Sequence, residues 1–412
     1  MKHILFIIIF VFLVIGADAA DLADFYSGFS SLGTDTFISD KNTGLTIFPT
    51  LLIPSGGLYE GMGTAFTAVA SDASYIEANP AGSATLQYTE VALNHNNWIA
   101  DSNMEGVIYT TRFNNLGIGI GGKFLYVPFI GYNRWGEELS SSYYTETIAT
   151  VNVSYNFFSS YYFSGLSLGA NLKAAYRNVP AVISPNQSIL TLMTDIGFLT
   201  RFNLAKFYAS RDRNFSFGGV VKNIGINALG EPLPSVATAG IAYSPIRPLI
   251  VSLDFNYPFS FTTPADQWEK WNIASGMNLV LTDFFSIHSG FSYRGSNPRF
   301  TIGSEVTLQK ISITANYTLD MTTQLTSMDK FTIQMSLNMG DKGRYGKAKK
   351  VDDYYIAGLK EYANGNYSRA IKFWEAALEI DPSFQPAAEN LAVAKDAIDL
   401  QKKMEAINQV EK

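Results

Sequence analysis

Apolar and polar residues alternate along most of this chain, from Leu86 to Met339. Successive side chains of a β-strand point to opposite faces, so a period of two predicts strands whose two faces meet different surroundings. The last alternating stretch shows the pattern clearly: Phe331, Ile333, Met335, Leu337 and Met339 alternate with Thr332, Gln334, Ser336 and Asn338. A long β region with two unlike faces is therefore the main constraint on the fold.

The alternating region divides into about fourteen strands of roughly ten residues, the length expected of strands that cross a membrane. Their predicted bounds are 86–96, 104–113, 116–128, 143–157, 164–176, 190–202, 214–225, 235–243, 248–258, 270–282, 285–293, 298–308, 311–319 and 329–339. Tight connections such as 114–115 and 309–310 alternate with long ones such as 129–142 and 259–269, although 203–213 breaks the rule. Outer-membrane barrels keep their short turns on the periplasmic side, so we expect both ends of the region to face the periplasm.

The polar faces consist mainly of Ser, Thr, Asn and Gly, with few Lys or Glu. Charged residues make up 16% of the chain and aromatic residues 14%, whereas charged residues make up about 25% of ordinary soluble domains. A secreted sandwich would show the same alternation but would place charges on its solvent face. We therefore predict a mainly β protein with a transmembrane antiparallel β-barrel over residues 86–340.

Residues 1–19 have the features of a secretory signal peptide, because a basic start precedes an apolar run and an A-x-A site at Ala17–Ala19. The run Ile4–Ile15 is shorter than the about 20 residues that a spanning helix needs. The absence of cysteine excludes disulfides and thiolate metal sites, and the net charge of −6 argues against binding nucleic acid. Together with the barrel, these features predict a location in the outer membrane.

Residues 20–85 precede the predicted barrel, and the stretch Gly57–Gly82 within them is rich in small residues. Glycine permits backbone angles that other residues avoid, and small side chains let a segment pack tightly inside another structure. A compact stretch of this kind in front of a long β region predicts a plug inside the barrel. We expect the plug to enter the lumen from the periplasmic side.

The pattern changes after the last strand. Residues 341–350 form a basic linker with one acid and five bases, either beside anionic lipid heads or as a solvated tether. Over 351–412 the spacing matches a tetratricopeptide repeat, with Gly365 at the turn and Pro382 after the second helix. We expect a small all-α periplasmic domain that binds a protein partner, the alternative being a purely structural end. The candidate partner-binding residues are Tyr354, Tyr367 and Trp374.

Two enzyme motifs match by letter but fail in context. The Gly-x-Gly-x-x-Gly at 117–122 fits a dinucleotide fingerprint, but a strand follows it where a helix is required. The Gly-x-Ser-x-Gly at 165–169 fits a nucleophile elbow, but it lies within an alternating strand without a turn. We therefore expect no enzyme, no cofactor and no metal. A barrel enzyme built on His288 and nearby serines is the remaining alternative.

The stretch 46–82 resembles the hatch of the FadL family, which are outer-membrane transporters of long-chain fatty acids and other hydrophobic compounds. Nearly the whole chain resembles the FadL-like proteins of treponemes, which pair such a barrel with a C-terminal tetratricopeptide region. The residues that carry the hatch resemblance are Gly61, Met62, Gly63, Ala65–Ala70, Asp72, Asn79, Pro80, Ala81 and Gly82. The resemblance implies a monomeric barrel of the same strand number, with a hatch that plugs and gates the lumen.

In that family an inward kink in the third strand opens a side door through which substrate leaves into the membrane. The matching residues on strand 116–128 are Gly117, Gly119, Gly121, Gly122 and Pro128. Glycine weakens strand pairing and proline removes a ladder donor, so the residues themselves also favour a bend there. Apolar residues of the following loop are candidates either for ligand contact or for anchoring at the membrane interface: Phe129, Ile130, Tyr132 and Trp135.

Two hypotheses of function follow from these features. In the first, the chain takes up hydrophobic small molecules, long-chain fatty acids foremost, by passive diffusion past a movable hatch and lateral exit into the outer membrane. In the second, the barrel is an anchor, and residues 351–412 recruit a periplasmic protein for secretion or assembly. The hatch motivates the first hypothesis. The second rests on the C-terminal domain, which a diffusion channel does not need.

Overall fold

The computed structural model describes residues 40–98, 101–181, 184–208, 212–295, 297–320 and 329–410. The predicted signal peptide lies outside these residues. The described chain contains a segment without strands, a closed antiparallel barrel and three C-terminal helices, in that order. No helix among the described residues is long and apolar enough to cross a membrane.

The barrel has fourteen antiparallel strands, as the sequence predicts, and it closes where the first strand pairs with the last. The strands are β1 Glu90–Asn97, β2 Asn103–Phe113, β3 Leu116–Tyr132, β4 Glu138–Phe157, β5 Leu166–Asn178, β6 Ile189–Phe202, β7 Phe215–Gly225, β8 Val236–Ile246, β9 Leu249–Pro258, β10 Asn272–Thr282, β11 Phe285–Arg294, β12 Asn297–Leu308, β13 Ile311–Asp320 and β14 Lys330–Asn338. The closing ladder runs from Glu90 opposite Asn338 to Asn97 opposite Phe331. Each described strand is therefore paired on both sides, which removes the exposed edges of an open sheet.

The alternation along the strands separates an apolar outer face from a polar inner face. On β14 the outward Phe331 and Met335 are 44% and 43% exposed, whereas the inward Thr332 and Gln334 are 0% and 2% exposed. A soluble protein buries its apolar side chains, whereas this wall exposes them on the outside and buries its polar side chains. The arrangement is typical of barrels whose outer surface is surrounded by lipid.

The two ends of the barrel differ in their connections. The end that we call the turn end carries the two-residue turns 114–115, 247–248, 283–284 and 309–310. The opposite end, the loop end, carries the longer connections 179–188, 226–235 and 259–271. The predicted alternation of short and long connections is right in part, because 295–296 is tight at the loop end and 203–214 is long at the turn end.

The third and fourth strands extend beyond their neighbours at the loop end. β3 pairs with β2 only as far as Tyr126, but it pairs with β4 as far as Tyr132. The predicted loop 129–142 is therefore wrong, and most of it is a two-stranded hairpin with a turn at 133–137. The physical reason is that the residues on both sides of the turn continue the alternation and the hydrogen-bonded ladder.

Residues 46–86 lie inside the barrel, and we call them the luminal segment. They contain two short helices, α1 Gly57–Gly61 and α2 Tyr75–Ala78. Just before the segment, the Asn42 amide donates to the Trp268 carbonyl at the loop end (2.9 Å). At the other end of the segment the Leu86 carbonyl accepts from Arg112, which is near the turn end. The described chain thus runs through the lumen from the loop end to the turn end, and the predicted approach from the periplasmic side is wrong for these residues.

The luminal segment contacts the wall backbone to backbone at a ring of inward glycines. A Cβ atom added to any of five of them would come within 2.0–2.6 Å of a backbone atom of the segment. We call this set the glycine belt: Gly117, Gly169, Gly218, Gly276 and Gly290. Real Cβ atoms do not approach other atoms so closely, so only glycine allows the segment to lie this near the wall.

Three helices follow the barrel: α3 Arg344–Ala363, α4 Tyr367–Ile380 and α5 Gln385–Val410. Gly365 lies at the first turn with a φ of 78°, and α4 ends before Pro382, as the spacing predicts. The tetratricopeptide assignment itself stays a prediction. Most of the predicted linker 341–350 is helical instead, because Asp341 accepts the Tyr345 amide beside the start of α3 and because Lys, Arg and Ala favour helix.

The helices have a core of their own and contact the turn end of the barrel. Phe384, 5% exposed, belongs to this core, and its ring lies 5.2 Å edge-on from the ring of Tyr161 in the connection between β4 and β5. The neighbouring Tyr162 hydroxyl donates to the Glu389 carboxylate at 3.0 Å. At the start of α3, Arg344 donates to the Arg112 carbonyl at 2.7 Å. These contacts fix the helices against one side of the turn end.

Replacing Gly169 with alanine tests the glycine belt. The new Cβ would lie 2.3 Å from the Pro80 carbonyl oxygen, and overpacking of this kind costs about 1–3 kcal/mol. We expect Gly169→Ala to lower the unfolding temperature of the barrel in detergent and to speed proteolysis of the luminal segment. Gly122→Ala is the matched control, because its Cβ would meet only Val107 at an ordinary 3.6 Å. Equal stability of the two variants would contradict the close contact.

Candidate functional site: the luminal segment and the cavity beside it

The motif Asn79–Gly82 anchors the luminal segment to the wall. The Asn79 amide donates to the Thr67 carbonyl at 2.8 Å and to the Phe198 carbonyl of β6 at 2.9 Å. Its side-chain oxygen accepts from the Ala81 amide at 3.1 Å, which caps the short helical turn that begins at Pro80. One buried side chain therefore ties two parts of the segment to each other and to the barrel.

The predicted gating residues Gly61, Met62 and Gly63 lie on the opposite side of the lumen. Gly63 has a φ of 61°, and its Cβ would lie 2.6 Å from the Phe291 amide of β11. A Cβ on Gly61 would lie 2.1 Å from the His288 ring. Met62 is 0% exposed. These residues set the distance between the segment and the wall. The left-handed backbone of Gly63 and the close contact of Gly61 with His288 explain why these two are glycines.

Asp72 joins the two helices of the luminal segment. Its carboxylate accepts from the Leu58 amide of α1 at 3.1 Å and from the Ser74 amide before α2 at 3.1 Å. The Ser74 hydroxyl is a further donor. Burial raises the pKa of Asp72 above its ordinary value, although these donors favour the charged form. Asp72 thus holds the segment together internally.

Two ion pairs join the segment to the wall. Glu60 of α1 lies 3.0 Å from Lys330 of β14, and Glu77 of α2 lies 3.2 Å from Lys123 of β3. Both lysines also donate to segment carbonyls, Lys330 to Pro54 at 3.1 Å and Lys123 to Ile53. Burial would raise the pKa of Glu77, but the ion pair with Lys123 and hydrogen bonds from Ser55 outweigh it and hold the pKa below its ordinary value.

A buried carboxylate of the wall also binds the segment, through hydrogen bonds from backbone amides. Asp254 of β9 accepts from the amides of Phe66 and Thr67 at 3.1 and 3.0 Å. Asp254, Lys123 and Lys330 are not among the site residues predicted from the sequence. The signal was present, because each is a charged residue at an inward position of a region that otherwise has few charges.

A cavity of about 160 Å³ lies between the luminal segment and the wall on the side of the loop end. Apolar surface is supplied by Leu51 and Ile53 of the segment, by Leu233 of the connection 226–235 and by Val236 of β8. Charged side chains also line the cavity: Glu60, Lys222, Glu269, Arg294, Arg299, Asp320 and Lys330. The cavity therefore offers both an apolar and a charged surface, and the segment itself forms one of its walls.

The residues of the proposed kink contact the luminal segment. The ladders of β3 with β2 and β4 show no register shift between Leu116 and Tyr126, and the ladder with β4 continues through Pro128. Gly117 and Gly119 face inward, where a Cβ would meet Ser83 at 2.2 Å and the Tyr75 hydroxyl at 2.1 Å. The ladders leave no gap for a side door beside these residues in the described wall, and the kink itself stays a prediction. These glycines leave room for the segment. A single sequence does not distinguish glycines with this role from glycines that bend a strand. Gly121 also faces the segment, whereas Gly122 faces outward.

The candidate ligand contacts Phe129, Ile130, Tyr132 and Trp135 lie outside the cavity. They belong to the protruding β3–β4 hairpin, and Trp135 at its tip is 86% exposed. None of the four is among the described residues that line the cavity. Ile130 and Tyr132 continue the outward face of β3, which fits the alternative of anchoring at the membrane interface.

The candidate partner-binding residues fall into two groups. Trp374 is 1% exposed and donates to the Tyr355 carbonyl at 3.2 Å, so it belongs to the helical core and is wrong as a partner contact. Its ring occupies space left by the small residue Gly358, where a Cβ atom would lie 2.3 Å from the indole nitrogen. This contact explains why the repeat needs a small residue at that position. Tyr367 is half-buried against Tyr362, and Tyr354 is 37% exposed. Only Tyr354 keeps a large accessible surface.

His288 acts as a structural partner of the segment. It is 1% exposed, and its Nε2 lies 2.7 Å from the side-chain oxygen of Asn316, whose amide donates to the Gly57 carbonyl at 3.0 Å. The hydrogen-bond partner of the ring within the described chain is thus an amide and not a serine. The described residues contain no group of three His, Asp or Glu side chains that is arranged to hold a metal ion.

Comparison with solved structures finds a channel and a porin among the similar chains. The ΔS2S3 mutant of TodX, a monoaromatic hydrocarbon channel, matches with a TM-score of 0.46 and 10% identity over 68% of this chain and 96% of that chain. A KdgM porin in complex with disordered oligogalacturonate matches with a TM-score of 0.30 and 8% identity over 61% of this chain and 99% of that chain.

Comparison of sequences finds relatives in Treponema pallidum (strain Nichols). One UPF0164 protein is 30% identical over 392 residues, which cover 92% of this chain and 88% of the relative. Another is 26% identical and covers 86% of this chain and 76% of the relative. The model of UPF0164, an uncharacterised protein family, matches residues 23–341, which include the luminal segment and the whole barrel. The chain therefore belongs to the UPF0164 family.

Proposed function

We propose that this protein is an outer-membrane transporter of hydrophobic small molecules, gated by its luminal segment. The observation that carries the proposal is that a segment of the same chain fills a closed barrel and forms one wall of the cavity near the loop end. A ligand that reaches this cavity from the loop end is stopped by the segment. Passage then requires the segment to move.

Three features support a position in the outer membrane. The outer face of the wall is apolar and the inner face is polar, as lipid-embedded barrels require. The chain begins with the features of a signal peptide. Four two-residue turns lie at the turn end, and transmembrane barrels have their short turns on the periplasmic side. On this orientation the C-terminal helices lie in the periplasm and the cavity lies toward the outside.

The contacts of the luminal segment suit a gate. The segment is held by hydrogen bonds and by ion pairs at Glu60 and Glu77, and water can replace both kinds of contact. The lateral exit implied by the FadL resemblance finds no counterpart in the described wall, since every strand keeps both partners. The proposed route therefore runs past the displaced segment within the lumen. Long-chain fatty acids are the first compounds to test, and the barrel is proposed to work as a monomer.

Locking the segment to the wall tests the gate. The hydroxyls of Ser83 in the segment and Ser154 of β4 are in hydrogen-bond contact, so cysteines at both positions lie near enough for a disulfide. The chain has no cysteine of its own. We expect oxidised Ser83→Cys/Ser154→Cys to lose at least nine-tenths of its uptake of labelled oleate into proteoliposomes, and reduction to restore it.

The matched control is a disulfide that leaves the segment free. Thr307 of β12 and Ser312 of β13 lie directly opposite each other, with their hydroxyls 3.1 Å apart. Oxidised Thr307→Cys/Ser312→Cys should transport like the wild type. Full uptake by the oxidised segment-to-wall variant would refute gating by the segment, and no uptake by the wild type would refute transport of oleate.

A second candidate function is recruitment of a periplasmic protein by the C-terminal helices. The supporting observation is that these helices have their own buried cluster, which includes Trp374 and Phe384, and pack with one side against the barrel. Their other faces present residues such as Tyr354 and Ile356, which are 37% and 49% exposed. A pore that works by diffusion alone does not need such a domain.

Deleting residues 341–412 separates the two functions. The barrel closes without these residues, so we expect the shortened protein to fold and to take up oleate at an unchanged rate. Crosslinking in cells should recover a periplasmic protein with the full chain and not with the shortened one. If the two forms recover the same proteins, the recruitment hypothesis loses its support.

A further inference from the structure

Four lysines on the described strands point into the lumen, and three of them are paired with carboxylates. The pairs join Lys123 to Glu77 at 3.2 Å, Lys173 to Asp195 at 2.6 Å and Lys330 to Glu60 at 3.0 Å. Lys222 of β7 differs, because no carboxylate of the described chain lies within 4.0 Å of its Nζ. Its contacts are the Tyr59 hydroxyl and the Glu77 carbonyl, each at 3.4 Å, and the face of the Tyr59 ring at 5.6 Å.

Lys222 lies where a ligand would meet it. It lines the cavity of about 160 Å³ and also a second, deeper hollow of about 40 Å³. Asp195 and Asp254 face it from neighbouring parts of the wall, but both carboxylates bind other groups, Lys173 in one case and segment amides in the other. The Lys222 ammonium is thus a cation at a cavity surface without an ion partner.

The acids that line the larger cavity are already neutralised. Each has its own basic partner: Glu60 pairs with Lys330 at 3.0 Å, Glu269 with Arg294 and Asp320 with Arg299 at 3.7 Å. Among the charged side chains that line this cavity, Lys222 is thus the one without a partner of opposite charge within 4.0 Å. The deeper hollow is lined by Lys123, Lys173 and Lys222, and the only acid among its described lining residues is Glu77. The side chains that line each space therefore carry more positive than negative charge.

We propose that Lys222 binds the carboxylate of an amphipathic organic anion, whose apolar part packs against Leu51, Leu233 and Val236. A cavity of about 150 Å³ holds benzene in another protein, so about 160 Å³ accommodates a group of this size beside the charge. A hydrogen bond between an ammonium and a carboxylate is roughly twice as strong as a neutral one. Lys222 thus selects carboxylates over uncharged compounds of the same shape.

This inference names the ligand class of the proposed transporter, and it rests on that function only for the onward passage of the ligand. Binding to Lys222 is an equilibrium property of the purified protein. It is measured without a membrane gradient and without movement of ligand across the barrel. Binding through Lys222 without uptake into proteoliposomes would leave the site standing and remove transport, and uptake without such binding would do the opposite.

Benzoate and benzamide are matched probes, since they share shape and differ in charge. Titration calorimetry with the full-length protein in a non-ionic detergent should show that benzoate binds at least tenfold more tightly than benzamide, equivalent to about 1.4 kcal/mol. Lys222→Met should lower the affinity for benzoate by tenfold or more and leave that for benzamide unchanged. Lys222→Arg should keep the preference for benzoate, because it keeps the charge.

The control variant is Lys310→Met, which removes an exposed lysine from a turn at the other end of the barrel and should bind benzoate like the wild type. Mobility of the unboiled protein on gels shows whether each variant has folded, and Lys222→Gln replaces Lys222→Met if the latter does not fold. Equal affinities of the wild type for the two probes, no binding of benzoate, or an unchanged preference in folded Lys222→Met or Lys222→Gln would each overturn the inference.

Discussion

The rest of the structure depends on a wall whose polar face points inward. Strand closure satisfies the backbone, but the inward side chains still need partners, because a buried polar group left unpaired costs about 1–3 kcal/mol. The luminal segment supplies many of these partners. Two backbone amides of the segment donate hydrogen bonds to Asp254, and the Pro80 carbonyl of the segment accepts one from Asn152. The segment is therefore as much the core of this protein as an apolar cluster is the core of a soluble one.

The sequence predicts the strands of the wall well, because the alternation of apolar and polar residues within each strand shows which residues share a face. For example, β11 is predicted as 285–293 and observed as Phe285–Arg294. The prediction succeeds because alternation is a local property, which does not depend on contacts with distant residues. The β3–β4 hairpin is missed, because the same alternation continues past the point where neighbouring strands stop. How far a strand extends depends on its partners, and a single chain read locally does not contain that information.

Residues of the site are harder to predict, because their roles depend on pairs that are far apart in sequence. Gly117 has the same local appearance whether it bends a strand or makes room for Ser83, and only the fold decides between the two. Lys330 has a carboxylate partner, Glu60, which lies 270 positions earlier in the sequence, whereas Lys222 has none within the described chain. Trp374 fits a binding aromatic by type, yet its burial makes it part of the helical core. A sequence pattern can show where such residues are, but only their contacts in the folded structure show what each one does.

The glycine belt also constrains the proposed opening of the lumen. Where two backbones touch without side chains between them, there is no flexible group that yields by degrees. Packed interfaces of this kind are bistable and not continuously deformable. On the proposed function, the segment is then either seated or released, and we expect a single barrel in a planar bilayer to carry ionic current at discrete levels, with abrupt steps between them.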